Sequence, residues 1–269
     1  VNRLHPKYNN SQDNPYESDS SSGTFAQRYG PSHLFTDLVF YMLTDQMAGA
    51  GALLNMTESY APLVDVKSLE DTSVFLDKQG LFYNGAITER TNIREFITDL
   101  APYFLCNFIV TDGKFGLIPA LPFNAGTGSV VTQSVTISQL FTSGNILDDS
   151  FSLEYLRSEE RRPFVAVVRY RGEKPNKFPE EKSVLVYKEG SRAASGVDKL
   201  PHEQFDLTAF CTSEEHATKV ARYFLALREL VTHTIKFSTT VFGLNLKAGS
   251  FIKVITESSP YSSANNGTV

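Results

Sequence analysis

A helix followed by a hairpin is the clearest pattern of apolar and polar residues in this chain, between residues 92 and 122. Asn92 can accept backbone N–H groups as a helix N-cap, and Glu95 stands three residues later, where a capping box has its acidic partner. The apolar residues that recur on one helical face are Ile93, Phe96, Ile97 and Leu100. We expect this helix to end near Pro102.

Two apolar segments, residues 105–111 and 114–121, follow that helix and flank the pair Asp112 and Gly113. Both turn residues tolerate positive φ, which the tight turn between right-twisted antiparallel strands requires. The sequence therefore predicts a β-hairpin directly after the helix. Nothing in this unit carries catalytic chemistry.

Three more helices are predicted from a 3.6-residue apolar period and from end signals. One opens at Pro31–Ser32, and Gly49 and Gly51 stop it. A second runs from Ser68 to Gln79, with Asp71 as capping partner and Gly80 after it. The longest, over residues 213–231, has Thr212 as its cap and Glu215 as the box partner.

Strands are predicted where Val, Ile, Thr and aromatic residues alternate or cluster. The predicted strand segments are residues 81–88, 130–137, 146–155, 164–171, 183–187, 232–246 and 251–256. The last two are joined by a turn at Ala248–Gly249. The β-branched and aromatic content of the later segments favours a barrel or sandwich over a parallel α/β sheet.

The fold class predicted from these elements is α+β, divided near residue 150. Residues 31–150 form a smaller α+β domain that contains the helix-hairpin unit. Residues 151–257 form a mainly β, barrel-like or sandwich-like domain with the helix at 213–231 inserted. Residues 1–30 are polar and read as an extended arm or linker, and residues 258–269 as a tail or a link to further domains. The chain starts at Val1, and we expect it to be part of a longer or processed polypeptide.

Composition narrows the classes of function. With 269 residues, a net charge of -5 and a pI near 5.6, the chain has no basic cluster of the kind that sequence-specific nucleic-acid binding needs. Its two cysteines, Cys106 and Cys211, lie in apolar or strand-like contexts, so folding in a reducing cytoplasm fits. The apolar runs are far shorter than a membrane span, and we predict no stable membrane insertion.

Residues that could carry chemistry are present but not in telling patterns. The five histidines are His5, His33, His202, His216 and His233. They form no HxH or HxxxH pair, and no CxxC occurs, so ordinary polar or half-buried roles are favoured over metal binding.

The adjacent acidic pairs Asp148–Asp149, Glu159–Glu160 and Glu180–Glu181 suggest a glycosidase, but neighbours on a strand point to opposite faces. The glycine-rich segments AGAG (48–51) and GTGS (126–129) lack the rest of a phosphate loop and read as turns. We therefore predict no catalytic, cofactor or metal residues, no cofactor and no enzymatic activity.

Three segments, in this order, resemble one known family: residues 37–51, 82–122 and 205–254. The last of them ends in LKAGSFIKV, which is similar to that family's closing strand pair, although Ser250 stands where the family often has Asp. Together they resemble the central tail hub, or tip attachment protein, of tailed bacteriophages, the family of the lambda host-specificity protein and gene transfer agent hubs.

The resemblance implies a structural virion protein, the hub of a tail tip or baseplate. It implies a homotrimeric ring that caps the tail tube and connects it to the host-recognition apparatus. Its expected partners are further copies of itself, tail tube and distal tail proteins, the tape measure protein, and tail fibre or receptor-binding proteins. Its expected location is the virion tail tip, after assembly in the host cytoplasm.

Two other classes stay open on the residues alone. A tail-associated cell-wall hydrolase predicts convergent carboxylates or a zinc triad. A receptor-binding or carbohydrate-binding module predicts aromatic residues at loop tips, and the absence of Trp disfavours it.

Overall fold

The computed structural model of this chain describes residues 2–3, 28–29, 32–54, 62–131, 135–172, 178–188, 200–244 and 246–256. Within those residues the fold is a mixed α+β structure with four α-helices and several small sheets. The helices are α1 (Phe35–Thr44), α2 (Val66–Gln79), α3 (Ile93–Leu100) and α4 (Glu214–Leu230). The predicted arm and tail, residues 1–30 and 258–269, lie almost wholly outside the described residues.

The described residues also form eleven short strands and two 3-10 turns. The strands are β1 (Asn2–Arg3), β2 (Arg28–Tyr29), β3 (Cys106–Thr111), β4 (Lys114–Pro119), β5 (Gln139–Thr142), β6 (Ser152–Tyr155), β7 (Val165–Gly172), β8 (Glu180–Val186), β9 (His202–Asp206), β10 (His233–Lys236) and β11 (Ile252–Ile255). They pair as β1-β2, β3-β4, β5-β11 and β6-β10, with one three-stranded sheet in the order β8-β7-β9.

The chain packs into two compact units that alternate along the sequence. The first unit comprises Val1–Val131, Ala166–Val186 and Glu203–Ala221. The second comprises Thr132–Val165, Tyr187–His202 and Arg222–Val269. The predicted domains, residues 31–150 and 151–257, stay a prediction, because packing into interleaved units does not test those limits.

The helix-hairpin unit predicted from the sequence is confirmed in the first unit. The Asn92 side chain accepts the backbone N–H groups of Arg94 and Glu95 at the start of α3. After α3 a 3-10 turn, Ala101–Phe104, contains Pro102 and leads into β3. Along α3 only Ile97 is fully buried, and the three other apolar residues predicted on its face are half-buried.

The turn between β3 and β4 also has the predicted geometry. Asp112 and Gly113 adopt φ values of 54° and 75°, and Thr111 pairs with Lys114 across the turn. The hairpin packs on α2, where the Thr72 hydroxyl donates to the carbonyl oxygen of Leu117 at 2.8 Å. These local signals therefore fix a long-range contact as well as a turn.

The starts of α1 and α2 differ from the prediction. Helix α1 begins at Phe35 rather than at Pro31–Ser32. Helix α2 begins at Val66, and its cap is Asp65, whose carboxylate accepts the backbone N–H of Ser68. Ser68 was the wrong cap because an acceptor one turn earlier already satisfies its N–H group. The end of α2 is as predicted, since Gly80 adopts the left-handed conformation with φ of 66°.

The three-stranded sheet lies almost wholly in the first unit, with β7 at its centre. Strands β7 and β8 pair antiparallel, with Ala166 opposite Val186. Both were predicted, but β9 was missed, because its exposed and half-buried residues show no apolar alternation. Helix α4 follows β9 and begins at Glu214, with the Ser213 hydroxyl accepting the His216 N–H at 3.5 Å, so the predicted cap Thr212 is one residue early.

The described part of the second unit contains two two-stranded sheets. Strands β6 and β10 pair antiparallel, with Leu153 opposite Ile235. Strands β5 and β11 pair in parallel, with Phe141 opposite Val254. The buried centre of this unit's hydrophobic cluster is Phe141, Ile146 and Val254; the apolar residues packed against it are Phe151, Leu153, Ile235, Phe237, Leu246 and Ile252.

The predicted barrel is wrong for the described residues. Closing a barrel requires each strand to pair on both sides, and here the strands of the second unit have four residues and one partner strand each in the described ranges. Residues 81–88 and the described part of 130–137 form only isolated bridges at Phe82 and Val130 rather than strands. Apolar alternation over so few residues did not distinguish a strand from an extended segment held by packing.

No helix among the described residues has the length and apolar content that crossing a membrane requires.

Replacing Asp65 by Ala tests the observed cap of α2. We expect Asp65→Ala to lower the free energy of unfolding by about 0.5–2 kcal/mol, because the Ser68 N–H loses its acceptor. Asp71→Ala is the matched control: Asp71 forms an ion pair with the exposed Lys67, and its loss should cost about 0.5 kcal/mol or less. Urea unfolding measures both values, and equal losses would contradict the assignment of Asp65.

Candidate interaction surfaces

The histidines considered as candidate ligands are not gathered into a site. His33 packs edge-on against Phe82, with ring centroids 4.2 Å apart. His216 is buried, and its Nε2 lies 2.8 Å from the carbonyl oxygen of Tyr103, whereas His202 is exposed. The remaining two are His233, which contacts Thr232, and His5, which is outside the described residues. Across the described ranges, no three or more His, Cys, Asp or Glu side chains are placed to hold a metal ion.

The acidic pairs lie on exposed segments and have local roles. Asp148 and Asp149 sit in an exposed turn. The Glu160 carboxylate accepts the backbone N–H of Arg157 at 3.0 Å, closing a turn. Glu181 forms an ion pair with Arg169 on the neighbouring strand. These contacts agree with the reading of the pairs as solvated charges.

The GTGS segment is a turn packed on α2, as predicted. The Asn124 side chain accepts the backbone N–H groups of Gly126 and Thr127, at 2.9 and 3.2 Å. Gly128 has φ of 66°, and a Cβ there would lie 2.3 Å from the carbonyl oxygen of Val74. The glycine therefore allows a close approach to α2.

The second glycine-rich segment belongs to a loop, residues 45–54, that we call the apolar loop. It folds back on the end of α1: the Asp45 carboxylate accepts the backbone N–H groups of Met47 and Ala48. The backbone N–H of Ala50 donates to the carbonyl oxygen of Met42 at 2.8 Å. A Cβ on Gly51 would lie 2.0 Å from the carbonyl oxygen of Thr44.

The apolar loop holds two apolar side chains out in solvent. Met47 is 97% exposed and Leu53 is 90% exposed, although the backbone around them is tightly hydrogen-bonded. A flexible, polarizable Met side chain adapts to irregular apolar partners. The loop is thus ordered without burying its own largest apolar groups, which is typical of a contact surface.

A second such feature lies in the second unit, at residues 241–244, which we call the apolar turn. This 3-10 turn is closed by hydrogen bonds from the Gly243 N–H to Thr240 and from the Leu244 N–H to Val241. Val241 is 72% exposed, Phe242 53% and Leu244 79%. Three large apolar side chains within four residues therefore face water.

Neighbouring segments of the second unit hold the residues on either side of the apolar turn. The backbone N–H of Leu147 donates to the carbonyl oxygen of Ser238 at 2.8 Å, and the Thr239 hydroxyl donates to that of Asn145 at 2.6 Å. Leu147 is itself half-exposed and extends the apolar character of this region. Leu246, just after the turn, packs against the hydrophobic cluster of the unit.

The amount of apolar surface sets what this region can do. Taking one Leu, Phe or Val side chain from full exposure to full burial contributes about 1.5–3 kcal/mol. The three residues of the turn and Leu147 are already partly covered, so together they could contribute on the order of 4–8 kcal/mol. Association costs about 4–15 kcal/mol in lost freedom. The turn can therefore anchor an interface, but a stable complex needs further contacts around it.

Neither surface was found from the sequence. Residues 232–246 were expected to be one extended segment, whereas the structure has strand β10 at His233–Lys236 and a 3-10 turn at Val241–Gly243. The glycine at 243 within an apolar run was the available signal, because a glycine inside a strand pattern often marks a break. For the apolar loop, the turn was predicted but the exposure of Met47 and Leu53 was not.

Comparison with known proteins gives no family. No protein-family model matches the chain, and no curated protein matches it. Among solved structures, the chain is similar to one described as "Virion of native gene transfer agent (GTA) particle", with a TM-score of 0.49 and 12% sequence identity. The match covers 83% of this chain and 42% of that chain, so this chain spans less than half of that protein's length. A likeness of this size is not a basis for assigning a function.

Gly51→Ala tests the construction of the apolar loop. We expect it to lower the free energy of unfolding by about 1–3 kcal/mol, because the new Cβ meets the α1 backbone and neither can shift without breaking hydrogen bonds. Gly144→Ala is the control, since its Cβ would have no neighbour closer than 3.8 Å, and its change should stay within about 0.5 kcal/mol. Thermal or urea unfolding compares them, and a neutral Gly51→Ala would show that the loop is not held as described.

Proposed function

We propose that this chain is a structural component of a phage-like virion and, within it, the central hub of a tail tip. In this role it caps the tail tube and connects the tube to the host-recognition apparatus. The observation that carries the proposal is the apolar turn: Val241, Phe242 and Leu244 are exposed on a hydrogen-bonded 3-10 turn whose flanking residues contact neighbouring segments. Such a surface fits a protein whose role is to bind other proteins.

The sheets of the second unit support the same role. Strands β5, β6, β10 and β11 have one partner strand each within the described residues. A two-stranded sheet is marginal alone, and parallel pairs usually occur inside larger, covered sheets. Contacts with other chains would add the stability that these small sheets lack.

The sequence resemblance supplies the finer assignment. The three segments at residues 37–51, 82–122 and 205–254 resemble the tail-hub family in the same order along the chain. Residues 45–51 of the apolar loop lie in the first of these segments, and the apolar turn lies in the last. On this proposal the chain forms a homotrimer that also meets tail tube, distal tail, tape measure and receptor-binding proteins, and it is located at the virion tail tip.

The native mass of the purified assembly tests self-association. We expect a species at three times the 29.9 kDa of one chain. Phe242→Ser should weaken the trimer by about tenfold or more, because it removes an apolar anchor. Phe178→Ser is the control, since Phe178 is also exposed but lies outside the apolar loop and the apolar turn. A monomer at micromolar concentration, or equal weakening by both variants, would count against the trimer and its proposed anchor.

Electron microscopy with a labelled antibody tests the location. Label at the tail tip is the expected result, and label on the head or along the tube would contradict the hub assignment.

A turbidity assay on bacterial cell walls addresses the enzymatic alternative. Clearing of the suspension by the isolated chain would overturn the structural role in favour of a hydrolase.

A further inference from the structure

The first half of α4, Glu214–Ala221, has four buried residues, His216, Ala217, Val220 and Ala221, of which only His216 can take up a proton. His216 is 1% exposed, and its Nε2 lies 2.8 Å from the carbonyl oxygen of Tyr103 in the 3-10 turn after α3. The rings of Phe104 and Phe210 enclose the imidazole, with centroids 5.2 and 6.4 Å from it. This histidine therefore joins α4, the 3-10 turn and the segment before α4.

The hydrogen bond fixes the tautomer. A carbonyl oxygen only accepts, so the proton of the neutral imidazole is on Nε2. Burial lowers the pKa of His216 from 6.5, and the charge of Lys219 lowers it further, whereas hydrogen bonds with the backbone of Tyr103 and Phe82 raise it. The lowering causes win, and the ring is neutral at pH 7.

A second contact of α4 lies one turn further on. The Lys219 ammonium donates to the carbonyl oxygen of Gln79 at 2.6 Å and forms an ion pair with Glu215 at 2.7 Å. A proton added to His216 would therefore place a second positive charge near a cation that already holds α4 on the end of α2. It would also place that charge among aromatic rings, where water cannot solvate it.

We propose that His216 is an acid-released latch, which holds the first half of α4 on the 3-10 turn at Ala101–Phe104 while neutral and releases it when protonated. The mobile element is α4 up to Ala221, and the fixed elements are the 3-10 turn and the segment around Phe82. This device is independent of the hub proposal, since it needs no partner.

Other titratable groups do not substitute for it. The titratable and charged groups on the elements around the latch are Glu214, Glu215 and Lys219 of α4, Tyr103 of the 3-10 turn, His33 and Tyr83 beside Phe82, Tyr170 and Arg171 of β7, and Cys211 before α4. The Arg171 guanidinium donates to the carbonyl oxygen of Asn84 at 2.7 Å. Burial raises the pKa of the Tyr83 hydroxyl and of the Cys211 thiol, so neither supplies a negative charge at or below pH 7. The Glu215 carboxylate is exposed, and its pKa is lowered by its hydrogen bond and ion pair with Lys219.

The sign of the pH effect follows from linkage. The pKa of His216 is lower in the folded state than in the unfolded state, so the unfolded state takes up a proton first as the pH falls. The stability that His216 contributes is complete above about pH 6.5 and is lost as the pH falls from there toward the folded pKa. Over that window the folding equilibrium constant should fall by up to about tenfold per pH unit.

Urea unfolding at several pH values between 8 and 5 tests the latch. Wild type, His216→Gln and His202→Gln are compared. Gln can donate a hydrogen bond to the Tyr103 carbonyl oxygen but does not titrate, and His202 is an exposed control. We expect wild type and His202→Gln to lose stability relative to His216→Gln as the pH falls. A difference between wild type and His216→Gln that is constant with pH would overturn the proposal.

Two measurements on the wild-type chain keep the test decisive if His216→Gln fails to fold. Hydrogen exchange, corrected for its intrinsic pH dependence, should show the amides of residues 217–221 losing protection on acidification before those of the β3–β4 hairpin. An NMR titration should give His216 a pKa below 6.5 and the Nε2-protonated tautomer. Simultaneous loss of protection in both regions, or a pKa at or above 6.5, would each contradict the latch.

Discussion

The proposed role depends on one physical constraint: an ordered backbone keeps several large apolar side chains exposed to water. In the apolar turn, hydrogen bonds between residues 145–147 and 238–239 fix the segment before it, and Leu246 anchors the segment after it. Between these two anchors the turn is closed by its own hydrogen bonds, and Phe242 and Leu244 are exposed. Exposing apolar side chains to water is unfavourable. A partner that covers them therefore gains free energy, and it does not have to reorder the apolar turn to do so.

The two units differ in how far their own described residues pack into a core. In the first unit, α2 and the β3–β4 hairpin bury large side chains such as Phe75 and Leu117, and aromatic rings stack around Phe104. In the described part of the second unit, two two-stranded sheets contribute to a cluster centred on Phe141. The difference is what we expect if the first unit is a folded support and the second is completed by other proteins.

Signals that act over a few residues could be predicted from the sequence. Asn92 caps α3 and Asp112–Gly113 turns the hairpin because each needs only its immediate neighbours. The cap of α2 was misplaced by one turn, since both Asp65 and Ser68 have suitable side chains and only the helix start decides between them. Strand β9 and the barrel depended on pairing between distant segments, which a short apolar pattern does not specify.

The candidate surfaces could not be predicted from the sequence, for a related reason. An apolar residue in a sequence is expected to be buried, and the chain gives no sign of which ones are left outside. Met47 and Leu53 flank the turn predicted at residues 48–51, and that turn signal does not indicate that both side chains are left in solvent. Interaction surfaces of this kind become visible only when burial is known residue by residue.

Side-chain footprinting by hydroxyl radicals tests the central claim most directly, because it reports the solvent exposure of individual side chains. The isolated chain at low concentration and the assembled particle are labelled side by side, and the modification of Phe242 and Leu244 is read by mass spectrometry. We expect Phe242 and Leu244 to be strongly labelled in the isolated chain and protected in the assembly. Equal labelling of both residues in the two states would contradict the central claim.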